Sequence, residues 1–372
     1  MKIVLILNIL NKLGGAERSF INLANSLSKN HNLEIHIISF EKNCATSFYP
    51  LNSNILWTKI DDASSNINSS FFRRLHLRFI KRSFLLKKVL QKIAPEIVIS
   101  FINFTNIYST LVCKSLNIPI IISERNNPLK KRMPWRWELI RNIIYPFANA
   151  IVIQTKKASL CYSKRIQTIC EIIPNIVLEP DSYAEAKINI PSPYIASLGR
   201  LRYVKGFDIL IKAFAKISND NPDWKLIIIG EGIERINLEN LIKQLNMENK
   251  IFLPGLDKKP HNIISKSDIF VLSSRWEGFP NSLAEAMALG ASVISTNCNF
   301  GPQEIITHEV DGILIENENI DQLSDALKKL IDSEKLRTEL GLNAEKILEK
   351  FGEKHIVNLW QELINKVTTK KA

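Results

Sequence analysis

Two carboxylates, Glu277 and Glu285, bracket the turn Gly278-Phe279-Pro280-Asn281-Ser282. The apolar run 268–272 before them reads as a buried strand, and 282–289 after it as a small-residue helix stopped by Gly290. In a parallel sheet, strand carboxyl ends meet helix amino ends, and ligands bind there. A helix amino end also offers unpaired N–H groups and a partial positive charge, which suit a phosphate. Acids so placed can act as the acid and base of glycoside hydrolysis. They can equally hold sugar hydroxyls, and Glu285 alone can simply favour its helix dipole.

Neighbouring loops add other groups. Arg200 and Lys205 share one strand-to-helix loop. Arginine grips a diphosphate by a forked pair of hydrogen bonds and lysine as a point charge; singly, each is an ordinary surface cation. Gly230-Glu231-Gly232 and Pro254-Gly255-Leu256 end two further strands and allow close backbone approach. Cations, glycines and carboxylates thus converge on four loops at one sheet edge, which is the pattern of a binding site.

The elements that must position these groups repeat an α/β rhythm twice. Strand-like runs fall at 2–8, 33–40, 55–60, 96–101, 119–123 and 150–154, then at 194–198, 224–229, 250–253, 268–272, 291–295 and 312–315. The polar, proline-containing stretch 179–193 reads as the linker. The tail is helical over 320–332, 334–350 and 355–367. Two doubly wound parallel-sheet, Rossmann-like domains follow from this alternation. Gly14-Gly15 lies between the first strand and its helix, but no Gly-x-Gly-x-x-Gly follows, which counts against a dinucleotide-dependent oxidoreductase.

The 372 residues exceed one ordinary core. The net charge of +12 is uneven: 1–180 holds 25 Lys+Arg against 10 Asp+Glu, and 181–372 holds 24 against 27. An anionic partner for the first half is implied: nucleic acid, an anionic membrane or a phosphorylated lipid. The stretch 71–92 has eight Lys/Arg, no acid and helical apolar spacing. It reads either as a basic amphipathic helix on an anionic membrane or as a solvated surface helix. The stretch 130–137, read as a loop, sets Trp135 and Trp137 among Lys/Arg, a combination common at membrane interfaces. No nucleic-acid motif appears. No apolar run reaches a spanning helix, and 3–10 reads as a first strand rather than a signal peptide. The five scattered cysteines form no Cys-x-x-Cys pair and fit a reducing cytoplasm.

Taken in order, Gly14-Gly15-Ala16-Glu17-Arg18, Gly199-Arg200…Lys205-Gly206, Gly230-Glu231-Gly232 and Glu277-x7-Glu285 resemble family 4 glycosyltransferases across nearly the whole chain. The chain is similar in texture to bacterial enzymes that extend undecaprenyl-diphosphate-linked sugars, N-acetylgalactosaminyltransferases among them. The resemblance implies the α/β GT-B architecture, its two Rossmann-like domains facing a cleft: 1–180 for the acceptor, 181–352 for the nucleotide sugar, and 353–372 as a helix crossing back. It implies retaining transfer of a hexose or N-acetylhexosamine from a nucleotide sugar, UDP favoured, to a polyprenyl-diphosphate-linked saccharide in cell-surface glycan synthesis.

Arg200 and Lys205 would neutralise the leaving diphosphate, Glu277 hold the donor sugar and Glu285 the ribose. Gly278, Phe279, Asn281 and Ser282 would contact sugar and phosphate. Gly230 and Leu256 would line the nucleotide pocket, and Gly14 and Gly15 approach the phosphates. Glu124, Arg125 and Asn126 stand where many relatives carry a histidine near the donor sugar; this chain has Arg125 there. The sequence holds no Asp-x-Asp, and neither metal nor cofactor is expected. The enzyme would sit peripherally on the cytoplasmic face of the membrane and bind no nucleic acid. A sugar-nucleotide 2-epimerase and a non-enzymatic nucleic-acid binder are the alternatives.

Overall fold

The computed structural model describes residues 1–12, 14–61, 71–125, 127, 129–130, 133–179, 192–257 and 259–369, with the backbone alone over 71–77. Asn126, Lys131, Arg132 and linker residues 180–191 lie outside these. The chain divides into two units, 1–176 with 354–372, and 177–353.

The first unit is built on a parallel sheet. Its strands are β1 (Lys2–Ile6), β2 (Glu34–Ser39), β3 (Leu56–Lys59), β4 (Ile97–Phe101), β5 (Ile120–Glu124), β6 (Ala150–Ile153) and β7 (Cys170–Ile172). Their order is β3-β2-β1-β4-β5-β6-β7. The helices are α1 (Gly15–Ser28), α2 (Phe71–Ile93), α3 (Asn103–Leu116), α4 (Trp135–Ile144), α5 (Lys156–Ser159) and α6 (Lys164–Gln167). Alternate strand residues Ile3, Leu5, Ile97 and Ile99 join one core with Phe20, Leu23 and Leu27 of α1. Val4, Ile6 and Val98, on the opposite face, are equally buried, which is why these strands read as unbroken apolar runs.

The second unit repeats the plan. Its strands are β8 (Tyr194–Leu198), β9 (Lys225–Ile229), β10 (Ile251–Gly255), β11 (Ile269–Leu272), β12 (Ser292–Thr296) and β13 (Ile313–Ile315). They run in the order β10-β9-β8-β11-β12-β13. Helices α7 (Phe207–Ile217), α8 (Arg235–Gln244), α9 (His261–Ile264), α10 (Asn281–Ala288) and α11 (Pro302–Ile305) alternate with them. After β13 come α12 (Ile320–Ile331), α13 (Glu334–Ala344) and α14 (Ile347–Phe351). One core gathers Leu226, Ile228 and Val271 beneath α7 and α12; the other gathers Ile227, Phe270 and Val293 beneath α10. Both sheets therefore reverse strand order in the way that defines a doubly wound fold.

Three local readings change. Pro134 starts α4, so Trp135 and Trp137 are helical rather than in a loop. Trp137 is buried against Phe79 (5.3 Å between ring centroids) and Phe104 (5.1 Å), while Trp135 is exposed. On α2, Arg82 turns inward: Nη1 donates to Asn8 Oδ1 at 2.6 Å and the guanidinium covers the Phe40 ring. Finally, β10 runs on through Pro254 and Gly255. Proline donates no ladder hydrogen bond, and β10 tolerates it because it is an edge strand whose register already slips there.

The last helix, α15 (Glu353–Thr369), belongs to the first unit. Ile356, Trp360, Leu363 and Ile364 enter the α1 core, and Trp360 stacks on Phe101 at 6.3 Å. A Trp360→Ala variant is expected to lose about 3–5 kcal/mol in denaturant unfolding of this unit, with little change in m. A loss below about 1 kcal/mol would show that α15 is not a core element.

Candidate active site

The strand order of the second sheet reverses between the parallel neighbours β8 and β11, and these strands emit the loops carrying Lys205 and Glu277. Crevices at such switch points are where open α/β sheets bind ligands. Lys205 and Glu277 meet across this one: Nζ lies 2.7 Å from Oε1. Ser274 Oγ donates to the same oxygen at 2.7 Å. Both charged side chains are mostly buried, at 19% and 13% exposure.

Backbone fit makes the meeting possible. Gly206 has φ +61°, and a Cβ on it would fall 2.1 Å from the Ser273 carbonyl oxygen. Ser273 Oγ donates to the Lys205 carbonyl (2.9 Å), and the Arg275 N–H donates to the Val204 carbonyl (2.8 Å). Arg275 then clamps the pair of loops. Its guanidinium makes a forked contact to Asp208 (2.8 and 2.7 Å), reaches Glu318 (2.6 Å) and the Tyr203 carbonyl (2.7 Å), and covers the Tyr203 ring. Its hydrogen bonds with Asp208 raise the Arg275 pKa above its usual value. Burial pulls the Asp208 carboxyl upward, but the Arg275 hydrogen bonds outweigh it and leave it below the ordinary range. The sequence contains Arg275 and Asp208 but gives no sign that they pair.

Further along the edge, Gly230 has φ +148°, and a Cβ there would sit 1.9 Å from the Gly199 carbonyl oxygen. The ends of β8, β9 and β10 are thereby drawn together without side chains between them. Arg200 is exposed beside them, and Leu256 is exposed just past β10. Glu285 lies within α10, where His261 Nε2 meets its Oε2 at 3.1 Å. His261 opens α9, and sequence reasoning missed it, because nothing in a lone histidine 24 residues upstream signals the contact. Asn281 and Ser282 occupy the first turn of α10, with Gly278 just before it, all partly exposed. Phe279 differs: its side chain is buried edge-on to Phe351 (5.8 Å), so only its backbone faces the turn. Behind the turn, burial and then the Glu277 charge push the Cys298 thiol up to about 12, so it stays protonated and unreactive. Among the described residues, no group of three or more His, Cys, Asp or Glu could hold a metal ion.

The first-unit candidates lie at strand carboxyl ends of their own sheet. Gly14 and Gly15 open α1, and the Gly14 carbonyl accepts from the Arg18 N–H at 3.0 Å. Glu124 is buried and turned inward, accepting from Tyr145 and from Asn106 (3.1 Å), and burial raises its carboxyl pKa. Arg125 Nη1 donates to Asn175 Oδ1 (2.6 Å) and Nε to Ser123 Oγ (2.7 Å), beside the rings of Phe101 and Trp360. Burial lowers it to about 9, which leaves it charged at neutral pH.

Residues 180–347 match the family model described as glycosyl transferases group 1. The chain is 29% identical over 373 residues, 99% of each chain, to the GalNAc-alpha-(1->4)-GalNAc-alpha-(1->3)-diNAcBac-PP-undecaprenol alpha-1,4-N-acetyl-D-galactosaminyltransferase of Campylobacter jejuni. In fold it is similar to sucrose-phosphate synthase from Thermosynechococcus elongatus, with a TM-score of 0.85 over 99% of both chains at 16% identity. It is also similar to Anabaena HepE, solved in complex with UDP, with a TM-score of 0.76 over 98% of this chain and 100% of that one at 15% identity. Two parallel sheets with reversed strand order, a switch-point turn bearing Glu277 and Glu285, and these likenesses lead to one architecture: the chain has the GT-B fold, and its residues 180–347 are similar to the group 1 glycosyltransferases.

Proposed function

We propose that this glycosyltransferase moves a hexose or N-acetylhexosamine from a UDP-sugar to a saccharide carried on a polyprenyl diphosphate, with retention and without a metal ion. The carrying observation is the Lys205–Glu277 pair at the switch point, which sets a cation and a hydroxyl-binding acid side by side. The Campylobacter relative, named for an undecaprenyl-linked acceptor, supports the acceptor class. The UDP complex of Anabaena HepE supports the nucleotide.

In this reading Lys205 and Arg200 stabilise charge as it builds on the leaving diphosphate, helped by backbone N–H groups at Gly278, Phe279 and the start of α10. Glu277 holds donor-sugar hydroxyls, with Asn281 and Ser282 beside it. Glu285 holds the ribose, and Gly230 and Leu256 flank the nucleotide. The acceptor oxygen bonds to the anomeric carbon as the bond from that carbon to the phosphate oxygen breaks. The departing phosphate oxygen takes the hydroxyl proton on the same face, so no enzymic nucleophile is required. Residues 1–180 bind the acceptor, with Gly14, Gly15 and Arg125 at its strand ends, and 181–352 bind the donor. The basic stretches 71–92 and 130–137 rest on the anionic cytoplasmic face of the membrane, a compartment that suits the five free cysteines.

UDP-sugars are expected to raise the melting temperature in a panel with GDP- and ADP-sugars, because a ligand bound only by the folded state stabilises it; no shift with any of them would sink the donor assignment. Lys205→Ala and Arg200→Ala should each lower kcat at least about 100-fold, a loss typical of one missing oxyanion donor. Arg200→Ala should leave the melting temperature in place, while Lys205→Ala, which strands the enclosed Glu277 charge, should lower it with the circular dichroism of a folded chain retained. Wild-type turnover in either would remove that residue from the site. His261→Ala should raise the donor KM about tenfold at nearly constant kcat, because it loosens a group that binds ground and transition states alike. A fall in kcat at unchanged KM would contradict the ribose role of Glu285. Donor incubated alone should yield no epimer.

A further inference from the structure

Helix α4 carries its bulk on the wrong side for a soluble surface. Phe147, three residues past its end, is 44% exposed, and Trp135, Leu139 and Ile143 recur every fourth residue and are 68%, 54% and 61% exposed. Such spacing places them along one helix face. The buried Trp137 fixes which face that is, since it locks α4 against Phe79 of α2 and Phe104 of α3. On neighbouring α2, Ile80 and Phe84 are exposed as well.

The charge around this face has one sign. Residues 71–147 contain 15 Lys+Arg and 3 Asp+Glu. Of those acids, Glu124 is buried and Glu138 is paired with Arg141 at 2.5 Å. Arg78, Lys81, Lys88, Lys114 and Arg136 are exposed. Three cations lie over exposed rings: Arg136 over Trp135 (5.2 Å), Lys88 over Phe84 (4.5 Å) and Lys114 over Phe147 (5.6 Å). A second copy docking here would bring like charges together. An anionic bilayer supplies both the complementary charge and an apolar layer for the rings.

We infer that the outer face of α4 is a membrane-inserting element: Trp135, Leu139 and Ile143 enter the headgroup–acyl boundary of an anionic phospholipid bilayer, and the flanking cations of α2, α3 and α4 engage its headgroups. This rests on the reading of a lipid-linked acceptor and deepens it, since attraction by the basic stretches alone would need no apolar face.

The test is sedimentation of the full chain with phosphatidylcholine vesicles, with and without phosphatidylglycerol, at low and high salt. Wild type is expected to sediment with the phosphatidylglycerol vesicles and to retain part of that binding at high salt. The variant Trp135→Gln/Leu139→Gln/Ile143→Gln should bind about 30-fold more weakly, as loss of inserted apolar area requires. Its melting temperature and UDP-sugar affinity should stay unchanged. Wild-type vesicle binding by the variant overturns the inference, as does failure of the wild type to bind vesicles. A wild-type dimer in light scattering that the variant abolishes, or displacement from vesicles by duplex DNA, overturns it too. Loss of UDP-sugar binding by the wild type would instead strike the functional reading, so the two failures are distinguishable.

Discussion

The meeting of Lys205 with Glu277 is the constraint on which the site depends. The two residues are 72 positions apart in the chain. They touch because β8 and β11 are neighbours at the point where the sheet reverses, and because the loops between them can close to van der Waals limits. Gly206 supplies the left-handed backbone and the missing Cβ that this approach needs. Arg275 then supplies the clamp, satisfying two carboxylates and a carbonyl from one guanidinium. A charged pair so enclosed contributes little net stability, because desolvation offsets attraction. Its value is positional: it holds a cation and an acid in fixed register at the switch point of the sheet.

The rest of the second unit serves that edge. The apolar strands need covering on both faces, which obliges helices to alternate with them and puts each strand-to-helix turn at the same end. Four such turns lie side by side over β10-β9-β8-β11. Gly230 removes bulk from the middle of the row, and α10 directs its amino end at the same place. The fold thus concentrates backbone donors and positive charge along one edge, with the carboxylates of Glu277 and Glu285 beside them.

The first unit solves a different problem. Its sheet faces are sealed by α1 and α15 on one side, and Arg125 is set into the seal beside Trp360. The buried carboxyl of Glu124 is satisfied by hydrogen bonds from Tyr145 and Asn106 rather than by exposure to water. Its helices α2 to α4 carry cations with almost no acids, while α4 leaves a row of large apolar side chains outside. Solubility alone would disfavour that pairing.

The sequence by itself determined the fold class, because two runs of apolar strands alternating with amphipathic helices admit few other arrangements. It singled out Arg200, Lys205, Glu277 and Glu285 as candidates, because turn glycines and charged residues at strand ends are local signals. Contacts set by strand order and helix face were beyond it. The partner of Glu285 is His261, the partners of Arg275 are Asp208 and Glu318, and Arg82 faces inward from a stretch that reads as uniformly basic. Trp135 and Trp137 look alike in the chain, yet one lies in the core and one lies outside. Only the tertiary structure decided these, because a parallel sheet joins strands out of sequence order and a helix separates neighbours by about 100°.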